Sequence, residues 1–313
     1  MLTGLKKSTR QVQEIKIMKQ YSNSIFEGER ALFAENGAAI SDCIFDNGES
    51  PLKESRNISV SRSQFKYKYP LWYSESITVE NCNWFEMARS GVWYTKNIQV
   101  RNSLITAPKN FRRCMGVSLE NVDLTNAEET FWMCRDIKLR NVTAKGNYFG
   151  MNSEDVDIDG LRLDGNYAFD GGKNITVRNS TLLSKDAFWN TENVTVYDSY
   201  ICGEYLGWNS KNLTFINCTI ESLQGLCYID TLTLKNCKLL NTTLSFEYSK
   251  NIDADITTKI DSVFNPVEGT ISAPEIETLI VERDFINPEK TRISCKAVGK
   301  TEEVVEWRRT KAS

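Results

Sequence analysis

Histidine is absent from all 313 residues, which removes Ser-His-Asp and Cys-His nucleophile arrangements, His-ligated metal sites, and the side chain that most often serves as a general base near neutral pH. An excess of one charge is also lacking. Lys plus Arg number 38 and Asp plus Glu 41, a net charge of -3, so no global field draws the chain to nucleic acid or to an anionic membrane. No apolar run reaches the roughly 18 residues of a membrane span, and residues 1–20 have no secretory apolar segment, so a cytoplasmic protein is expected. The nine cysteines are odd in number and none lies in a Cys-x-x-Cys spacing. Free buried thiols are expected, with no disulfide framework, metal site or cofactor.

What is present is a repeat. Asn57-Ile58-Ser59-Val60, Ser76-Ile77-Thr78-Val79, Asn97-Ile98-Gln99-Val100, Asn174-Ile175-Thr176-Val177, Asn193-Val194-Thr195-Val196 and Asn212-Leu213-Thr214-Phe215 align as one unit. Its first apolar residue falls at 58, 77, 98, 117, 137, 156, 175, 194, 213, 232 and 252, steps of 19–21 residues. That is too short for paired-helix repeats, and the units alternate Thr with Val or Ile at period two, which is the pattern of strands. No leucine-rich frame is seen, and a parallel β-solenoid remains.

Counted from that residue as position 0, positions 0 and +2 face inward, and +5 and +7 face inward again. Position +4 is Asn in most units (Asn81, Asn102, Asn121, Asn141, Asn179, Asn217, Asn236), and position -1 repeats the device (Asn57, Asn97, Asn174, Asn193, Asn212, Asn251). Stacked corner asparagines tolerate a left-handed bend and pass amide hydrogen bonds along the axis. Position -2 alternates in charge through Arg56, Glu75, Lys96, Met115, Arg135, Glu154, Lys173, Glu192, Lys211, Asp230 and Lys250, as expected of residues stacked about 4.8 Å apart. The expected fold is an all-β parallel β-helix of about 12 or 13 coils with three short strands per coil. Residues 1–20 are expected as a cap or first coil, 21–284 as the helix, and 285–313 as a cap or tail.

The runs GERALF (Gly28 to Phe33), GESPLKES (Gly48 to Ser55), KYPLWY (Lys68 to Tyr73), APKNFRR (Ala107 to Arg113), KDAFWN (Lys185 to Asn190), GEYLGWNSKNLTFINC (Gly203 to Cys218) and FEYS (Phe246 to Ser249) resemble those of a bacterial family of unknown function. That family lies within the pectin-lyase-like, right-handed parallel β-helix superfamily. The resemblance implies the right-handed fold over roughly residues 20–282. It implies no reaction, and polysaccharide binding or cleavage by other superfamily members is an analogy of fold.

The third side of each coil carries the candidate site. With -6 inward, -5 points out, and it reads Phe33, Lys53, Trp72, Trp93, Arg112, Trp132, Met151, Asp170, Trp189, Trp208, Cys227 and Glu247. Five tryptophans thus share one outward line, and three readings of it stand open. Trp72, Trp93, Trp132, Trp189 and Trp208, helped by Lys109, Arg113 and Lys185, bind an oligosaccharide whose rings stack on indole faces. Alternatively, loops or a second copy of the chain cover the line, giving an interaction surface or a homo-oligomer. In the third, the aromatics shield the strand and bind nothing. An enzyme reading assigns Asp170, Asp186 and Glu204 as carboxylates for glycoside hydrolysis. For a lyase it assigns Arg112, in the Lys109/Arg112/Arg113 cluster, as the base. The Asp155, Asp157, Asp159 run is read as an exposed strand and not as a calcium site.

Overall fold

The computed structural model describes residues 18–303, which form a right-handed parallel β-helix of about 15 turns. The first side is a continuous parallel ladder from Lys19–Ser22 to Thr291–Ser294, part of a 22-stranded sheet. Its register is the one the repeat predicts, with Ile77 beside Ile98, Val79 beside Val100 and Ile175 beside Val194. The second side is made of short strands such as Gln64–Phe65 and Thr181–Leu183. In the middle the two sides run on as single strands, Lys96–Ile105 to Glu154–Asp164, bent at the corner.

The helix is longer than the repeat reveals. Lys19–Ser22 adds a turn at one end, beginning at the close of the segment 1–20 read as a cap or first coil, of which residues 1–17 lie outside the described residues. At the other end the pairing continues past Asp284: Thr291–Ser294 pairs with Gly269–Ser272, and Ala297–Glu303 pairs with Glu275–Val281. Residues 285–303, expected as a cap or tail, therefore extend the coil. Longer connections there break the spacing while the pairing persists.

The third side differs from the strand expected of it. Its backbone is a succession of turns with left-handed residues at -8, -6 and -4, for example Ser50 (φ 60°), Leu52 (57°) and Glu54 (62°), or Asp186 (59°), Phe188 (58°) and Asn190 (53°). Each such residue carries a penalty of about 1–2 kcal/mol for an L side chain. Every N–H of the second trio is satisfied by a neighbouring turn, Asp186 from Glu204, Phe188 from Ala168 and Asn190 from Trp208, at 2.8–2.9 Å. Inward burial of Phe188 adds to the compensation. Alternate residues still point in and out, so the period-two pattern survives without a strand.

Inside, like stacks on like. Phe26, Phe45, Phe65 and Trp84 form one column with ring centroids 5.1, 5.0 and 4.6 Å apart. A buried column at -3, not singled out in the repeat, holds Ser74, Cys114, Cys134 and Ser249, whose hydroxyl or thiol donates to the carbonyl of the -6 residue one turn back. The nine cysteines are free, seven of them buried.

The corner ladder forms as expected. Asn193 Nδ2 donates to Asn174 Oδ1 at 3.1 Å and Asn212 Nδ2 to Asn193 Oδ1 at 2.9 Å. The -2 stripe pairs Arg56 with Glu75, Arg135 with Glu154, Lys173 with Glu192 and Lys250 with Asp230. Asn193 combines a left-handed backbone (φ 58°) with both amide bonds. Asn193→Ala is expected to lower stability by about 1–3 kcal/mol in urea unfolding, with Asn193→Gly losing less because only the amide bonds go.

Candidate functional site

Most of the outward line behaves as the pattern predicts, and its end does not. Cys227 and Glu247 are fully buried. Gln224 Nε2 donates to Glu247 at 2.6 Å and the Tyr228 hydroxyl donates to it at 3.2 Å, so these side chains cover the line where it was read as open.

The remaining line divides into two blocks of different geometry. In the first, indole N–H groups donate to main-chain carbonyls of the next turn, Trp72 to Ser90 (2.6 Å), Trp93 to Lys109 (2.8 Å) and Trp132 to Tyr148 (2.8 Å). In this block neighbouring rings meet face to face. Trp72 stacks on Trp93 at 5.0 Å and 8°, and Tyr73 on Tyr94 at 4.7 Å and 4°. The Arg112 guanidinium then lies 4.5 Å from the Trp93 ring and 4.5 Å from the Trp132 ring. Both faces of Trp93, and the faces of Trp72 and Trp132 turned toward it, are occupied by one another and by Arg112.

The basic cluster read as a lyase site is paired with an acid. Arg112 Nη2 donates to Glu129 at 3.0 Å and Lys109 Nζ donates to the same carboxylate at 2.8 Å. Arg112 is a spacer in an aromatic stack, its Nη2 held by an acid. Arg113 is exposed at the adjoining -4 position.

Met151 and Asp170 interrupt the stack, and the second block opens. Trp189 and Trp208 are 6.1 Å apart and tilted by 36°. Tyr167 meets Trp189 edge-on at 6.1 Å, and Tyr205 meets Trp208 edge-on at 5.9 Å. Together with Lys185 and Asp186 these rings line a groove of about 390 Å³. The Trp189 indole is anchored by its bond to the Tyr205 carbonyl at 2.8 Å. Tyr167 and Tyr205 were not among the residues expected here. The signal was available, since -8 also holds Tyr69 and Tyr148, but the positive-φ backbone that turns -8 outward was not.

Asp186 occupies the same -8 position, between Tyr167 and Tyr205, and is only 2% exposed. Its Oδ1 has no hydrogen-bond partner. Burial pushes its carboxyl above the usual carboxylate range; Lys185 opposes the shift, Glu204 reinforces it, the Tyr167 hydroxyl opposes it and Asp170 adds to it. The Asp186 charge in turn raises the Tyr167 phenol. The other predicted acids are engaged. Glu204 holds Lys185 at 2.7 Å, and Asp170 accepts from Asn190 Nδ2 at 2.9 Å. Structure thus gathers Lys185, Asp186, Trp189, Trp208 and Glu204 at one place, with Asp170 beside them, and leaves Trp72, Trp93, Lys109, Arg112, Arg113 and Trp132 in another.

No cluster of three or more acidic or cysteine ligands suited to a metal occurs among the described residues. Asp155 accepts from Asn174, Asp157 is bound by Arg140 and Arg178, and Asp159 accepts from Asn179. No helix among the described residues is long and apolar enough to cross a membrane.

Fold and ladder together define a right-handed parallel β-helix protein whose outward aromatic line opens into one groove. The chain belongs to the DUF3737 family, proteins of unknown function, whose profile matches residues 19–294. No curated protein matches it. Among solved structures it is similar to PfbA, a surface adhesin of Streptococcus pneumoniae, at 8% identity over 90% of this chain and 82% of that one, with a TM-score of 0.39. The A-module of the mannuronan C-5 epimerase AlgE4 from Azotobacter vinelandii aligns at 10% identity over 90% and 87%, TM-score 0.26. A lacto-N-biosidase from Eubacterium ramulus aligns at 11% over 92% and 62%, TM-score 0.27. Likeness this distant carries nothing about activity.

Two measurements check the contrast between the blocks. Because the folded state raises the Asp186 carboxyl, the ionised side chain opposes folding at neutral pH. That penalty disappears as pH falls through the raised value to the ordinary one. Asp186→Asn is therefore expected to raise the thermal midpoint at pH 7, with the difference closing on acidification. Arg112→Ala removes two cation–aromatic contacts and is expected to lower stability by about 1–3 kcal/mol in urea unfolding.

Proposed function

We propose that this protein binds an oligosaccharide in the groove formed by Tyr167, Trp189, Tyr205 and Trp208. One observation carries the reading: here, unlike in the first block, the indoles are splayed, leaving a mainly apolar cleft with a buried polar group at its floor. Pyranose rings present apolar C–H faces to aromatic walls and hydroxyls to the few polar groups, which is the chemistry such a cleft fits. Binding is favoured over cleavage. Glycoside hydrolysis needs two carboxyl groups in complementary roles, whereas Glu204 is committed to Lys185 and Asp170 to Asn190. The free thiols support a reducing, cytoplasmic setting as part of this reading.

Trp189→Ala and Trp208→Ala are each expected to weaken binding by about tenfold or more in calorimetric titration with an oligosaccharide panel. Trp72→Ala and Trp93→Ala should leave affinity unchanged, and none of the four should alter the sedimentation coefficient. A change in oligomeric state on loss of Trp189 or Trp208, with no sugar bound by the parent protein, would instead identify the groove as a contact between protein chains. Reducing ends measured in the same samples should stay at background.

A further inference from the structure

We infer that the sugar recognised in this groove carries a free amine, a cationic hexosamine unit of an oligosaccharide, held by Asp186 beneath the aromatic walls. The inference rests on the saccharide reading and narrows it.

The groove contains an unbalanced charge. Asp186 is buried at 2% exposure with Oδ1 unpartnered, and a buried acceptor without a donor is unfavourable unless an occupant supplies one. Lys185, the cation lining the groove, is hydrogen-bonded to Glu204 at 2.7 Å, so the one ammonium is shared between Glu204 and the Asp186 charge it partly offsets. Asp170 and Glu204 add negative charge within electrostatic reach of the Asp186 carboxyl. Counting Asp186, Asp170 and Glu204 against Lys185, the surroundings are acidic. A uronic acid would be repelled, and a neutral sugar would leave the charge uncompensated.

An ammonium group suits both components of the site. It pairs with the carboxylate, whose terminal torsion is soft enough to turn either oxygen toward an occupant. It is also attracted by electron-rich ring faces, here supplied by Tyr167, Trp189 and Trp208, the Tyr205 ring already carrying the Lys185 ammonium at 5.5 Å. The rest of the pyranose stacks against the indoles. Acetylation of the amine removes the charge while preserving the ring, so it isolates this contribution.

Calorimetric titration of the full chain with a glucosamine tetramer, its fully N-acetylated counterpart, a neutral glucose tetramer, a galacturonate tetramer and spermidine tests the inference. The glucosamine tetramer is expected to bind about tenfold or more tightly than the acetylated one. Asp186→Asn, shown folded by far-UV circular dichroism, should abolish that difference, and Trp189→Ala should weaken both. Equal affinity for acetylated and free-amine tetramers, unaffected by Asp186→Asn, would overturn the amine assignment while leaving a saccharide site in place. Spermidine binding that needs Trp189, with no tetramer bound, would overturn the sugar itself and this inference with it.

Discussion

Every other feature of this protein depends on one spacing, the roughly 4.8 Å between hydrogen-bonded rungs. It makes each side chain the neighbour of its equivalents one turn away, so a property placed at one position becomes a column. Asparagine at the corners becomes an amide ladder, alternating charge at -2 becomes a row of ion pairs, and phenylalanine at +7 becomes a stacked core. The same rule operates outside, where tryptophan at -5 becomes a stack of rings.

That rule bears on function because a ring in perfect register satisfies its neighbour and has no face to offer. From Trp72 to Trp132 the outward aromatics are consumed in this way, with Arg112 filling the one rung that lacks an indole. A cleft opens where the stacking of rings is relaxed. Met151 and Asp170 break the column, and beyond them Trp189 and Trp208 tilt apart over Asp186. The groove is a fault in the stack, and the raised carboxyl at its floor, with one oxygen unpartnered, is what a purely structural column would not retain.

How much was legible follows from which interactions repeat. Ile58, Ile77 and Ile98 announce their own register, and the alternation of Arg56, Glu75 and Lys96 could be read directly as contacts. The -8 tyrosines could not, because their outward direction depends on left-handed φ values at Tyr167 and Tyr205. Cys227 and Glu247 continue the -5 line in sequence but are covered by Gln224 and Tyr228, a tertiary event that periodicity does not encode. The terminal turns past Asp284 escaped for a similar reason, since pairing persisted after the spacing had changed.

Sequence by itself determined the solenoid, its register, its corners and the side on which the aromatics lie, because all of these are enforced by identical neighbours at a fixed distance. Only the tertiary structure decided which tryptophans stack closed and which splay apart, since that turns on ring tilt and on which of several equivalent acids already has a partner. Position along the chain places these side chains in one row. Their orientation within the row separates a structural column from a cleft, and orientation is set by packing.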